Sequence, residues 1–382
     1  MSFYDIKPIK SVNAQWNIIH SGRGNGKSYS VKSMAIQEAI ENLDKPKKKN
    51  FFYLRRLKDH ITNDSVYNYL RDLEEIPEGG TYNKLYEISQ GRFNRFKVAR
   101  GKIFALWYDE ETDKESDIQT IGYCKGIPDA EGLKSQQFPD VYNIIFEELF
   151  ATGTYLPREA EKLFSIVSTV LRNREGRIWM IGNEEFRSDY YFNFFDITQY
   201  TKKQKMGTII TIELDAGTDE FGNKQIVKMA VEYAHAKSSK NSGGMFFGRM
   251  KSKIEEGGYT ARLQPRMSQQ DFEAYEKIFH MYFEKSSLKY DCYLCLDELT
   301  GGCFWWIRPF TKTIRPGNRV VSDTISTNPM ITNNLNPLNK GEAMAFDLLI
   351  NNKVFFSDDL CGTEFREMIK YFINSNITQD YR

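Results

Sequence analysis

Apolar positions recur with strand-like and helix-like spacing in turn along this chain. Trp16 to His20 is a short apolar run that predicts a buried strand, and from Lys27 to about Leu43 the apolar residues Val31, Met34, Ala35, Ile36, Ala39, Ile40 and Leu43 recur at helical spacing. A lysine-rich turn follows, broken at Pro46, and Phe51 to Leu54 predicts a second strand. Thr62 to Leu73 reads as helix, and Tyr82 to Leu106 alternates in the manner of antiparallel hairpins. Val141 to Phe146, VYNIIF, is an apolar run that ends abruptly in two acids. Arg158 to Leu171 predicts a helix after Pro157, and Ile178 to Ile181 a further strand.

Short apolar strands alternating with helices predict an α/β fold with a parallel sheet covered on both faces, the hairpin region being an insertion or an antiparallel edge. Gly207 to Tyr233 holds two apolar runs around a turn-rich centre and predicts a β-hairpin. The Ser/Gly/Lys stretch from Lys237, KSSKNSGG, is the best linker candidate. The expected division is therefore a first domain over 1–233, a linker over 234–270 and a smaller α+β domain over 271–382. The last contains a helix, then YDCYLCLDEL and GCFWWIRPF as paired strands, then a helix from Glu364 to Ile373.

Composition narrows the function classes. At 41% hydrophobic and 14% aromatic residues, 382 residues form a real core rather than a disordered chain. No apolar run is long enough to span a membrane, and the N-terminal MSFYDIKPIK lacks the apolar stretch of a signal peptide. Five cysteines in a chain this long do not make a disulfide framework, which points to a reducing, cytoplasmic compartment. Net charge is +1, so nucleic-acid binding has to come from local patches: KPKKK from Lys45, RRLK from Arg55 and RFNRFKVARGK from Arg92. The bland reading of each is a solvated turn or an edge strand.

The chemistry starts at HSGRGNGKS, between the first strand and the first helix. Gly22, Gly24 and Gly26 permit positive φ and close approach of a ligand to the backbone. Successive N–H groups, with the positive end of the helix behind them, form an anion cradle of Gly22, Arg23, Gly24, Asn25, Gly26, Lys27 and Ser28. Lys27 reaches the β- and γ-phosphates of ATP and Ser28 holds Mg²⁺ in this reading. Ser21 stands where the G-x-x-x-x-G-K-[ST] pattern begins with glycine. Arg23 is an extra cation that either meets phosphate or faces solvent.

Glu147 and Glu148 end the VYNIIF strand, and in open α/β sheets ligands bind outside such strand ends. Glu147 is assigned to Mg²⁺ and Glu148 to the attacking water. Adjacent strand residues point to opposite faces, so the strand has to end or turn here for both to serve. Two solvated acids capping a strand is the alternative.

The segments GRGNGKSYSVK, NFFYLRRLK, LKSQQFPDVYNIIFEE and VLRNREGRIWMIGN, in this order, resemble the genome-packaging ATPases of phi29-type tailed phages, relatives of terminase large subunits. The resemblance covers most of the first 200 residues. It implies a P-loop NTPase domain of the ASCE type, followed by an RNase H-like domain that has lost nuclease activity. Glu147 falls where that family has Asp. Arg172 matches the arginine supplied to a neighbouring subunit's ATP, Lys58 and Lys134 match basic residues acting across the same interface, and Asn183 matches a polar sensor. Arg172 and Arg174 otherwise read as cations favouring a helix C-terminus. The family implies an ATP-driven motor moving double-stranded DNA into a preformed capsid in the host cytoplasm. It would work as a ring, a pentamer, docked transiently on the portal protein and absent from the mature virion. A packaging RNA is compatible with the same resemblance. The alternatives are a terminase that also cuts DNA, through acids such as Asp297, Glu298, Asp323 and Asp347, and an ATP-binding assembly factor that does no work.

Cys292 and Cys295 form a C-x-x-C without a second pair, and strand positions three apart face opposite sides, so core thiols are expected rather than zinc. GCFWWIRPF reads as a packed strand before it reads as a base-stacking surface.

Overall fold

The computed structural model describes residues 4–22, 24–150, 155–172, 174–183, 190–218, 222–235, 263–285, 288–310, 317–323, 328–332 and 335–376. Contacts divide the chain into two compact units: Met1–Leu149, Glu159–Asn183 and Lys205–Gly258 in the first; Phe150–Arg158, Glu184–Gln204 and Tyr259–Arg382 in the second. The chain thus passes between units more than once, where the sequence suggests a single passage. Most of the expected linker, 236–262, lies outside the described residues, as does Arg23.

The first unit is built on a nine-stranded sheet in the order β3-β4-β5-β2-β6-β7-β1-β9-β8. Its strands are β1 (Trp16–Ser21), β2 (Asn50–Arg55), β3 (Arg95–Ala99), β4 (Lys102–Asp109), β5 (Lys114–Gly126), β6 (Val141–Glu147), β7 (Arg177–Asn183), β8 (Thr208–Thr218) and β9 (Lys224–Tyr233). The six strands from β5 through β2, β6, β7 and β1 to β9 are parallel, with antiparallel β4 and β3 at one edge and β8 at the other. The central strands are buried almost end to end, as their unbroken apolar runs require when both faces are covered. On one face, Val31, Ala35, Ile36 and Ala39 of the helix Lys27–Glu41 pack with Ile19, Phe51, Tyr53, Ile145 and Trp179. The helical period read from the sequence is therefore the buried stripe of that helix. The helix Asn63–Leu70 begins where Thr62 and Ser65 cap it reciprocally, side chain to backbone.

The second unit has a six-stranded sheet, order β14-β13-β10-β11-β12-β15, from β10 (Glu276–Lys285), β11 (Leu288–Asp297), β12 (Gly302–Pro309), β13 (Arg319–Ser322), β14 (Ile331–Thr332) and β15 (Val354–Phe356). β10, β11 and β12 are antiparallel neighbours, β13 runs parallel to β10, and β14 parallel to β13. The helices Lys340–Ile350 and Asp359–Asn376 supply Phe346, Leu349, Phe365, Met368 and Phe372 to a core with Met281, Phe283, Cys292 and Trp305. Trp305 and Trp306 are both buried, in different clusters, so GCFWWIRPF is a packed strand. Cys292 and Cys295 likewise enter different clusters on the two sides of β11, as core thiols do. The helix expected at the start of this domain is only Gln269–Glu273, and the residues after it form β10.

Candidate active site

The parallel register brings several strand ends to one edge. Ser21, last residue of β1, lies beside Asn183, last of β7, and Glu147, last of β6, pairs with Ile181. Leu54 of β2 pairs with Phe146, which sets Arg55 next to the acids. The glycine loop leaves β1 at this edge. Gly24 has φ +78° and Gly26 φ +87°, and Gly26 caps the helix that starts at Lys27, so a side chain at either position would be strained.

Lys27 is 3% exposed and its ammonium lies among the loop's own oxygens. Nζ is 2.8 Å from Ser21 Oγ, 2.8 Å from the Gly22 carbonyl, 3.2 Å from Asn25 Oδ1 and 3.4 Å from Asn183 Oδ1. Ser21 Oγ also accepts from Asn25 Nδ2 at 2.5 Å. The serine that departs from the glycine pattern is thus a hub of the loop, a role the motif gives no hint of. The N-terminal segment straps the loop from outside: the Tyr4 N–H donates to the Asn25 carbonyl at 3.0 Å, Ser30 Oγ donates to the Tyr4 carbonyl at 2.6 Å, and the Tyr4 hydroxyl donates to Glu232 at 2.5 Å.

Glu147 is buried, at 8% exposure. Burial pushes its carboxyl up, against the hydrogen bond from Ser28, the charges of Arg55 and Lys32 and the hydrogen bond from Tyr69. Glu148 leaves the strand with φ +62°, a left-handed conformation unusual outside glycine. That turn lets two consecutive side chains serve one edge. The Glu148 side chain is 45% exposed and its Oε1 is 2.5 Å from an Arg55 guanidinium nitrogen, with His60 Nδ1 3.8 Å from Oε2. The next residue is anchored from two sides: the Leu149 N–H donates to the Ile181 carbonyl at 2.9 Å, and Arg56 donates to the Leu149 carbonyl at 2.9 Å. Arg56 meets both oxygens of the fully buried Glu159, at 3.0 and 2.9 Å. The two arginines of the RRLK run are therefore internal machinery, while Lys58 is exposed. Arg92 of the third basic stretch is ion-paired with Asp44 and Asp117, on an edge strand's approach.

Ser28 and Glu147 present oxygen donors that already meet each other, a hard, compact pair suited to Mg²⁺. Gly22, Gly24, Asn25, Gly26, Lys27, Ser28, Asn183, Glu147 and Glu148 thus gather at one edge. Lys58 and Lys134 are exposed, paired with Asp129 at 3.3 Å and Glu131 at 2.7 Å. Arg172 lies elsewhere. It follows the helix Glu159–Leu171 and precedes β7, at the sheet edge opposite the loop, with the length of β7, about 20 Å, between them. It donates to the Thr169 carbonyl at 3.3 Å and the Gln136 carbonyl at 2.7 Å, as a helix C-terminal cation does. Arg174 beside it is spent on the Leu171, Val170, Phe138 and Pro139 carbonyls. Sequence reasoning missed Arg55, Lys32 and Tyr69; only Lys32, one turn after Ser28 on the same helix, carried a readable signal.

A family model described as the podovirus DNA encapsidation protein (Gp16) matches residues 1–231. The DNA packaging proteins of Bacillus phages PZA and phi29 are each 26% identical over 207 residues, 53% of this chain and 52% of the relative. The chain thus spans about half the length of the curated relatives it matches. Among solved structures, the Phi-28 gp11 DNA packaging motor is similar with a TM-score of 0.54 at 16% identity, covering 97% of this chain and 98% of that one. The bacteriophage Phi-29 viral genome packaging motor assembly gives 0.51 at 18%, over 97% and 99%. At these identities the two structures speak to the fold.

Proposed function

This chain belongs to the podovirus DNA encapsidation protein family, and on that premise we propose that it is an ATP-driven motor that translocates double-stranded DNA into a preformed capsid. One observation carries the reading. The family match over 1–231 covers the loop and both glutamates, which the sheet brings to a single edge. With β7 lying between the loop strand β1 and the glutamate strand β6, the topology supports an ASCE-type P-loop NTPase.

In this reading the backbone N–H groups of Gly24 to Ser28 and the helix behind them take the phosphates. The Lys27 ammonium exchanges the oxygens of Ser21, Gly22 and Asn25 for phosphate oxygens. Ser28 and Glu147 would hold Mg²⁺, which when bound would neutralise phosphate charge. Glu148 orients the attacking water and accepts its proton, and it has to part from Arg55 to do so. Asn183, beside Lys27, senses the γ-phosphate. Arg172 is too far from its own loop to act there, which favours service to a neighbouring copy in a ring, with Lys58 and Lys134 exposed to the same neighbour. An arginine in trans is worth roughly 10³–10⁵ in rate and ties hydrolysis to the position of the next subunit. The ring, a pentamer by family, docks on the portal at the procapsid vertex, with a packaging RNA as a further component.

The second unit is read as RNase H-like, on its three antiparallel strands followed by two parallel to the first. We read it as a non-nuclease. The buried Lys285 ammonium is 3.1 Å from Asp323, while Asp297 is tied into a turn by Thr300 and Leu299, and Asp347 bonds Asn351 in a helix.

The test is ATP turnover with and without double-stranded DNA. DNA-stimulated hydrolysis, lost in Glu148→Gln with nucleotide binding retained, is the expected result. Turnover unchanged in Glu148→Gln removes the motor mechanism, and plasmid cleavage with Mn²⁺ that Asp323→Ala abolishes removes the non-nuclease reading.

A further inference from the structure

Glutamate at a position where the family has aspartate poses a mechanical question. The longer arm has an extra rotatable bond, so holding its carboxylate at a fixed place needs an extra tether. The structure supplies one. The Tyr69 hydroxyl is 3.3 Å from Glu147 Oε1, reaching across from the helix Asn63–Leu70.

Tyr69 is itself held on three sides. Its ring stacks on Tyr53 of β2, centroids 4.3 Å apart and planes 19° from parallel. The Lys32 ammonium lies 4.4 Å from the ring centroid and donates to the Tyr69 carbonyl. Lys32 is in turn buried and ion-paired to Asp72 at 2.6 Å. Lys32 lies one turn after Ser28 on the loop's own helix, so the same helix positions one donor to Glu147 directly and the other through Tyr69.

Resting on the nucleotide reading above, we infer that Tyr69 is a positioning residue that fixes the Glu147 carboxylate for Mg²⁺ in the nucleotide complex. Ser28 and Tyr69 both donate to Glu147. With Mg²⁺ bound, Ser28 would offer a lone pair to the ion while its proton stays on the carboxylate, and Tyr69 would be the second donor that the longer arm needs. The stack of Tyr69 on Tyr53 and its contact with Lys32 keep it from swinging away.

The test uses Tyr69→Phe in the full-length chain, which keeps the ring stack and the cation contact and removes only the hydroxyl. The readout is equilibrium binding of a fluorescent ATP analogue, titrated with Mg²⁺ and repeated in excess EDTA. The inference expects the Mg²⁺ concentration for half-maximal tightening to rise about fivefold, the worth of one hydrogen bond, with EDTA affinity unchanged and the thermal midpoint lowered by roughly 2–4 °C, the cost of about 1 kcal/mol. A second arm removes the reach instead of the donor. In a Glu147→Asp background the shorter arm no longer meets Tyr69, so adding Tyr69→Phe changes the Mg²⁺ midpoint by less than about twofold. An unchanged Mg²⁺ midpoint in Tyr69→Phe, or an equal loss in both backgrounds, overturns the tether while leaving the nucleotide site intact. A wild-type chain that binds no nucleotide with or without Mg²⁺ overturns the parent reading and this one with it.

Discussion

Truncating Arg56 to alanine probes what holds the end of the glutamate strand in place. Arg56 and Glu159 are 7% and 0% exposed, and each carboxylate oxygen accepts a hydrogen bond from the guanidinium Nε. A buried pair of this kind gains little over well-packed apolar residues, but losing one partner leaves a charge in a low-dielectric interior, which costs about 3–5 kcal/mol. The Leu149 carbonyl loses its Arg56 donor in the same step, a penalty of about 1–3 kcal/mol that overlaps with the first and does not add to it. The expected loss is therefore about 4 kcal/mol. For a unit of this size roughly 2–4 °C accompanies each kcal/mol, so the thermal midpoint falls by roughly 8–16 °C. Circular dichroism melts of wild type, Arg56→Ala and the double variant Arg56→Met/Glu159→Leu measure it. The double variant recovers most of the stability because no charge is left buried. An Arg56→Ala chain within about 1 kcal/mol of wild type would show that Glu159 relaxes to water or is neutral, and the anchoring argument would be wrong.

Lys27→Ala removes the one ammonium enclosed by the described loop and should weaken nucleotide binding at least about 100-fold, measured by fluorescent-analogue titration, for loss of a charge-assisted contact of about 3 kcal/mol. Mixing Glu148→Gln chains with Arg172→Ala chains should restore part of the ATPase activity that each lacks alone, because some mixed interfaces then hold an intact glutamate and an intact arginine; no recovery at any ratio would argue against action in trans. Asp291 of the second unit is held below the ordinary aspartate value of 3.8: burial works the other way, but the His280 and Arg308 contacts outweigh it. A depressed carboxyl stabilises the fold above its unfolded value and loses that contribution as pH falls through the folded one, so wild type should lose its advantage over Asp291→Asn below about pH 4, read from melts across pH 2–7.

The loop and the two glutamates were legible because their chemistry is local: three glycines, a lysine and a serine between strand and helix, and two acids ending an apolar run. The long helix Lys27–Glu41 was legible for the same reason, its apolar stripe matching its buried face. Arg55 and Tyr69 were not, because sheet order rather than spacing brings β2 and the helix Asn63–Leu70 against β6. Arg55 and Arg56 read as candidates for a surface patch, since composition does not show which cations meet acids inside the fold. β10 has no counterpart in the sequence reading, because Phe279, Met281 and Phe283 face one core while Tyr282 is buried on the other side, and an apolar run covered on both faces shows no clean alternation. The repeated passage between units, at 150–158 and 184–204, leaves no compositional mark.

The most direct trial of the central claim is the structure of the assembled ring with a non-hydrolysable ATP analogue and Mg²⁺. The account predicts phosphates cradled by Gly24 to Ser28, Lys27 drawn off Ser21 and Gly22, and a neighbouring copy's Arg172 against the γ-phosphate. Analogue bound in another cleft, or a γ-phosphate met only by groups of its own chain, would contradict it.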